Sequence, residues 1–292
     1  MLPVRVHGRA GLTPGPVSFV YFPMRICVII PAAGSSTRYN SDAPDPLGST
    51  RSKLDEDLGG KTVLQRSVEL FNTREEVHQI IVAGPHNDEA FSDFKLRHAD
   101  RLSLLGASLV QGGKDHRYET VANALAHIDE SCTHVAIHDA ARPATDPALI
   151  DRVIDTAKSH PAVVPGTPVS DTLKRVEPEP IENAGDVDAV ASILGVGTTH
   201  ALHRVESTVD RSNLMQIQTP QIFERGLLQR AYAQDDLAST DDAGLIERLG
   251  EPVVVVEGDP LNLKLTRQRD LPLLRAIMGV QGPSQRPTHK RF

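Results

Sequence analysis

Five short clusters in this 292-residue chain combine residue types suited to holding phosphate. The first, Pro31-Ala32-Ala33-Gly34-Ser35-Ser36-Thr37-Arg38, follows an apolar run. Its small residues would let backbone amides approach phosphate oxygens, and Arg38 would add a permanently charged, bidentate contact. It matches neither G-x-G-x-x-G nor the P-loop pattern, so an ordinary strand-to-helix turn explains it equally well. The second, His138-Asp139-Ala140-Ala141-Arg142-Pro143, follows another apolar run. Asp139 offers a hard oxygen suited to Mg²⁺ beside a triphosphate, or a helix N-cap, or a partner for Arg142. His138 reads as structural rather than catalytic. Asp171-Thr172-Leu173-Lys174-Arg175 and Gln218-Thr219-Pro220-Gln221 alternate in polarity, a pattern shared with any solvated strand face. Last come Thr240-Asp241-Asp242 and Asn262-Leu263-Lys264-Leu265-Thr266. Thr-Asp-Asp can be simple N-capping, whereas Lys264 reads as a phosphate ligand in an alternating strand near the sheet edge. There is no G-x-S-x-G, H-E-x-x-H, EF-hand or metal-type Cys/His cluster.

Clusters of this kind work only if the elements before them end at one edge. The spacing predicts a strand at Ile26–Ile30, then a helix with Val63, Leu64, Val68 and Phe71 on one face. A strand at Gln79–Ala83, a helix over 87–104, a strand at Ala107–Val110 and a helix over 117–128 follow. Thr133–Ile137 reads as a buried strand, Asp146-Pro147 as the N-cap and first turn of a helix, and Ala162–Val164 as a strand. Units of about 30 residues predict an α/β fold: a Rossmann-like three-layer sandwich with a mostly parallel, twisted sheet. Ligands bind such sheets at the carboxyl edge. The alternation breaks at about 168–220, where β-rich Val169–Val176 and Leu214–Thr219 flank a Pro-, Glu-, Asp- and Gly-rich stretch. That predicts an extended β-arm. Helices over 223–233 and 241–249, a strand at Val253–Val256 and a helix over 268–279 complete the pattern.

Composition narrows the function. Lys plus Arg is 31 against 38 for Asp plus Glu, which argues against nucleic-acid binding but not against a small anion. The two cysteines, Cys27 and Cys132, form no disulfide framework or zinc site and suit a reducing cytoplasm. No stretch approaches the roughly 20 apolar residues of a membrane span. Residues 1–24 read as a disordered extension with Met24 a possible start, 25–281 as one domain, and 282–292 as a loose tail.

The ordered set is more specific than any member. From about Arg25 to Met278 the chain resembles the 2-C-methyl-D-erythritol 4-phosphate cytidylyltransferases, within the nucleotidyltransferase superfamily. The resemblance rests on PAAGSSTR, Lys53…Leu58-Gly59-Gly60-Lys61 and Gly112-Gly113…Arg117…Thr120-Val121. It continues through HDAARP, PVSDTLKR, QTPQIF, STDDA and GDPLNLKLT. Three departures stand out. An insertion, YNSDAPDPLGSTRS, precedes Lys53, and Ser52-Lys53 replaces the usual Pro-Lys. Thr120 replaces a serine, with one extra residue before Arg117. The arm between Lys174 and Arg211 is longer than usual.

The resemblance implies transfer of CMP from CTP to 2-C-methyl-D-erythritol 4-phosphate with release of pyrophosphate. A cytidylyltransferase for another polyol phosphate, such as ribitol 5-phosphate, and a catalytically silent nucleotide binder are the alternatives. By resemblance, Arg38, Lys53 and Lys264 are catalytic, and Pro31, Ala32, Ala33, Gly34, Gly113, Thr120, Asp139 and Ala140 join Arg38 and Lys53 around CTP. Arg142, Thr172, Arg211, Thr219, Thr240 and Lys264 would hold the acceptor, and Asp139 would assist Mg²⁺. The arm would make a homodimer, with Arg211 reaching the second copy's site. The attacking phosphate is already anionic, so the chemistry needs cations more than a general base.

The spacing to Leu58-Gly59-Gly60 selects Lys53 over Arg51 as the cation after the insertion. Lys53→Ala is expected to lower turnover by roughly 10²-fold or more, with nucleotide affinity less affected. Full activity of Lys53→Ala together with inactive Arg51→Ala would reverse the assignment.

Overall fold

A computed structural model describes residues 23–41, 52–181 and 202–282. Most of the expected N-terminal extension and tail, part of the insertion (including Arg51) and the middle of the arm lie outside these residues. Ten strands and eight α-helices are described. In chain order the core runs β1 (Ile26–Pro31), α1 (Thr37–Ser41), a 3₁₀ turn (Lys53–Asp55), α2 (Val63–Glu69), β2 (Val77–Gly84), α3 (Asp88–Leu104) and β3 (Ala107–Gln111). Next come α4 (Arg117–Leu125), β4 (His134–Ile137), α5 (Pro147–Ala157) and β5 (Ala162–Pro168). The arm carries β6 (Leu173–Val176), β7 (Val205–Val209) and β8 (Met215–Ile217). The chain closes with β9 (Gln221–Glu224), α6 (Arg225–Tyr232), α7 (Ala243–Arg248), β10 (Val254–Glu257) and α8 (Asp270–Ile277).

The main sheet has the order β10-β5-β9-β4-β1-β2-β3, with β8 on β5. β1 pairs in parallel with both β2 and β4. Strand order therefore reverses at β1, where a crevice opens at the carboxyl ends. Helices on both faces bury Ile26–Ile30 of β1 completely, and Pro31 at its end is partly exposed. Ile26, Val28 and Ile30 meet Leu64, Val68, Phe94, Ile150 and Leu274, whereas Cys27 and Ile29 meet Val121, Leu227, Leu228 and Ile246. The period of two along a strand thus serves two cores at once.

Three expectations change. The helix expected from residue 223 begins later: Gln221–Glu224 is a strand, antiparallel to β4 and β5, and α6 starts only at Arg225. Ile222 fills one core and Phe223 the other, so tertiary burial overrides local helical pattern. Asn262–Thr266 is no strand either. Leu265 is buried and donates its N–H to Ala141 O at 2.8 Å, which leaves Lys264 facing the opposite way. In the arm, only Leu173–Val176 of the expected Val169–Val176 strand is β-structure, as β6; β5 ends before it at Pro168, and β7 pairs with β6 as a separate two-stranded sheet.

Candidate active site

β1 and β4 run level, Ile29 opposite Ile137, so the segments after them leave the sheet side by side. Ala140 O accepts a 2.8 Å bond from buried Ser67 Oγ on α2, which fixes the second segment. In the first, Ser36 takes a left-handed backbone, φ 56°, and its Oγ accepts Lys53 N–H at 3.2 Å. The turn carrying Lys53 is thereby tied to the β1 loop despite the intervening insertion.

A cavity of about 300 Å³ lies over these ends, walled by Pro31–Ser35, Lys53, Gly113, Arg117, Thr120, Asp139 and Lys264, with Ala140 and Ala141 at its floor. Gly113 admits no side chain, because a Cβ would stand 2.1 Å from that of Glu119. Its N–H donates to Thr120 Oγ1 at 3.0 Å. A second cavity of about 500 Å³, bordered by Arg142, Gln218, Thr219, Gln221 and Thr240–Asp241, shares Arg117, Asp139 and Lys264 with the first.

Asp139 sits where the two meet. Its Oδ2 receives Lys264 Nζ at 2.8 Å and Arg142 Nε at 3.3 Å, and Oδ1 faces Arg117 Nε at 3.7 Å. Burial by itself would raise its pKa, but Lys264, Arg117 and Arg142 outweigh that and hold the carboxyl well below the usual range. Arg117 also donates from Nη1 to Asp242 Oδ2 at 2.6 Å, and Tyr232 donates its hydroxyl to Asp242 Oδ1 at 2.5 Å. Asp242 is buried, so Arg117 is fixed between two carboxylates. Sequence reasoning assigned Arg117 and Asp242 no role. Arg117 was marked only by its spacing from Gly112-Gly113, and Asp242 was hidden by its resemblance to an N-cap, although its side chain makes no capping bond.

Lys53 donates from Nζ to Leu265 O at 2.9 Å. Burial, then the charge of Lys264, lowers its pKa from 10.5 to about 8, with Arg38 adding to the repulsion. Arg38 itself is exposed on α1. Arg142 reaches Asn262 O at 2.6 Å besides Asp139. Thr172 and Arg211 are exposed on the arm and wall neither cavity. Arg38 likewise walls neither cavity, and the other expected site residues gather at one sheet edge.

A doubly wound sheet with a small-residue loop, two joined cavities and converging cations defines a nucleotidyltransferase. The family model for 2-C-methyl-D-erythritol 4-phosphate cytidylyltransferase matches residues 26–195 and 179–280. A relative of that name from Frankia casuarinae is 36% identical over 261 residues, covering 89% of this chain and 84% of the relative. One from Rhodococcus jostii is 36% identical and covers 87% and 95%. The crystal structure of 2-C-methyl-D-erythritol 4-phosphate cytidylyltransferase from Thermus thermophilus superposes with a TM-score of 0.62 at 30% identity, covering 88% of this chain and all of that one. The chain belongs to the 2-C-methyl-D-erythritol 4-phosphate cytidylyltransferase family.

A lysine with a pKa of about 8 loses its charge as pH rises through that value. If Lys53 must be charged in the transition state, kcat/KM falls above about pH 8 and Lys53→Arg moves the fall to higher pH. An unchanged alkaline limb in active Lys53→Arg would assign the titration elsewhere.

Proposed function

We propose that this chain transfers CMP from CTP to 2-C-methyl-D-erythritol 4-phosphate, a step of isoprenoid precursor synthesis by the non-mevalonate route. The observation that carries the reading is the pair of cavities meeting at Arg117, Asp139 and Lys264. One takes the nucleotide and the other the polyol phosphate, so donor and acceptor phosphates meet at a cationic wall. An oxygen of the acceptor phosphate forms a bond to the α-phosphorus, the α–β bridging bond breaks, and pyrophosphate leaves. Bringing these anions together is the main difficulty, and Lys53, Lys264 and Arg38 offset their repulsion.

Pro31, Ala32, Ala33, Gly34, Gly113, Thr120 and Ala140 would line the nucleotide, with backbone groups reading the base. Arg142, Thr219, Thr240 and Lys264 would surround the acceptor. Among the described residues no group of three or more His, Cys, Asp or Glu could hold a metal unaided. The donor set nevertheless fits Mg²⁺ held largely by phosphates and water, since the close contacts of the Asp139 carboxylate with Lys264 and Arg142 fall on Oδ2, and Oδ1 faces Arg117 at 3.7 Å. Bound there, the ion would neutralise charge on the triphosphate. No helix among the described residues is long and apolar enough to cross a membrane, in keeping with the cytoplasmic location we assign.

The arm supports a homodimer. Leu173, Val176 and Val205 are 36–52% exposed, an apolar surface that a second copy would cover. Arg211 and Thr172, outside this chain's cavities, would then complete the acceptor site of the partner.

Pyrophosphate release with CTP, measured against a panel of nucleoside triphosphates and polyol phosphates, tests the activity. We expect preference for CTP and 2-C-methyl-D-erythritol 4-phosphate; faster turnover with ribitol 5-phosphate would reassign the acceptor, and no release with any pair would refute the activity.

Mixing inactive Arg211→Ala with inactive Lys53→Ala tests the shared site. Random subunit exchange should restore up to about a quarter of wild-type sites, because one site of each heterodimer carries neither defect. No recovery despite demonstrated exchange would place Arg211 in its own subunit's site, or outside the site altogether.

A further inference from the structure

The three residues of the 3₁₀ turn Lys53–Asp55 face three different surroundings. Lys53 walls the nucleotide cavity, and Leu54 is buried in the same core as Ile30 and Phe94. Asp55 turns to α3, where its Oδ2 pairs with Arg97 Nη1 and its Oδ1 stands 2.7 Å from His98 Nε2. A turn with three residues per revolution spreads successive side chains about 120° apart, so one short element reaches all three places. His98 is buried, lies against Phe94 with ring centroids 4.7 Å apart, and belongs to a helix of 17 residues. It is a fixed point. His98 Nε2 and Asp55 Oδ1 are both closed to solvent, and among the described residues neither has a hydrogen-bonding partner elsewhere. A ring nitrogen facing a carboxylate directs its proton there whether the imidazole is neutral or charged. Arg97 is the looser side: its side chain is 44% exposed, and ion pairs in contact with water contribute little.

Lys53 needs such a hold. Its ammonium is largely withdrawn from water and repelled by Lys264 and Arg38, and both effects favour its leaving the cavity. Leu265 O at its tip and Ser36 Oγ at its backbone resist this, but both partners lie outside regular elements. Asp55, in contrast, ties the turn to a helix whose Phe94 and Leu102 are set in the core. We infer that Asp55 is a positioning residue: by fastening the turn to α3 through His98, with Arg97 in support, it keeps the Lys53 ammonium inside the nucleotide cavity against the repulsion of Lys264 and Arg38. The inference rests on the catalytic role proposed for Lys53 and deepens it. Asp55 walls neither cavity, so its effect on turnover must pass through Lys53.

A double-mutant cycle tests this. Asp55→Ala is expected to lower kcat about tenfold with the KM for CTP changed less than about twofold, since it misplaces a cation rather than removing a nucleotide contact. In Lys53→Ala protein the same substitution should cause no further loss. Arg97→Ala should lose less than Asp55→Ala, and Arg97→Lys almost nothing. Equal losses in both backgrounds would detach Asp55 from Lys53 and overturn the inference, as would full kcat in Asp55→Ala. Should Asp55→Ala fail to fold, Asp55→Asn keeps the shape, removes the charge and completes the same cycle. Hydrogen exchange reads the turn without turnover. In Asp55→Ala the amides of Lys53 and Asp55, bonded to Ser36 Oγ and Ser52 O, should exchange about tenfold faster while those of β1 stay unchanged. Unaltered exchange would show the turn held without Asp55 and sink the idea. Wild-type turnover in Lys53→Ala would refute the catalytic role of Lys53 and the inference with it. Absence of turnover with every acceptor would refute the proposed activity, while exchange would still decide whether Asp55 holds the turn.

Discussion

The buried carboxylate of Asp139 is what allows this site to exist. Lys264, Arg142 and Arg117 converge on it from three separate segments, and Lys53 stands close enough to share its field. Cations gathered around one cavity repel one another. One ionised group at their centre offsets that repulsion and keeps each side chain aimed at the cavity. Desolvating such charges costs several kcal/mol per ion, so the cluster is better understood as preorganisation than as a source of stability. Arg117 shows the same logic a step further out, clamped by Asp242, which in turn takes the Tyr232 hydroxyl.

Sheet topology supplies the location. Parallel β1 and β4 end level where the strand order reverses, so the Ala-Ala-Gly loop and the Asp139 segment open beside each other. Small side chains in both leave room for a ligand against the backbone. The Lys53 turn then has to return to this edge after the insertion, and two contacts bring it there: its backbone on Ser36 and its side chain on Leu265 O. The arm contrasts with this ordered centre. Its apolar residues Leu173, Val176 and Val205 stay exposed on the single chain, and a dimer would turn that unfavourable exposure into binding area.

Much of this was legible in sequence. Alternating apolar runs and helical patterns fixed the α/β class and most element positions, because burial on both faces leaves a strong local signature in strands such as Ile26–Pro31. Ordered motifs fixed the family and nominated Arg38, Lys53, Asp139 and Lys264. Local pattern could not show that Gln221–Glu224 is a strand, since only the gap between β4 and β5 makes it one. Nor could it show that Lys264 reaches Asp139 from a segment outside any strand, or that Asp242 clamps Arg117 across 125 residues of chain. The sequence by itself determined which residue types were present and how often apolar ones recurred, which is enough for fold class and chemistry. Only the tertiary structure decided which charges and hydroxyls share a few ångströms of low-dielectric space, and hydrogen-bond polarity and pKa depend on that proximity rather than on chain order.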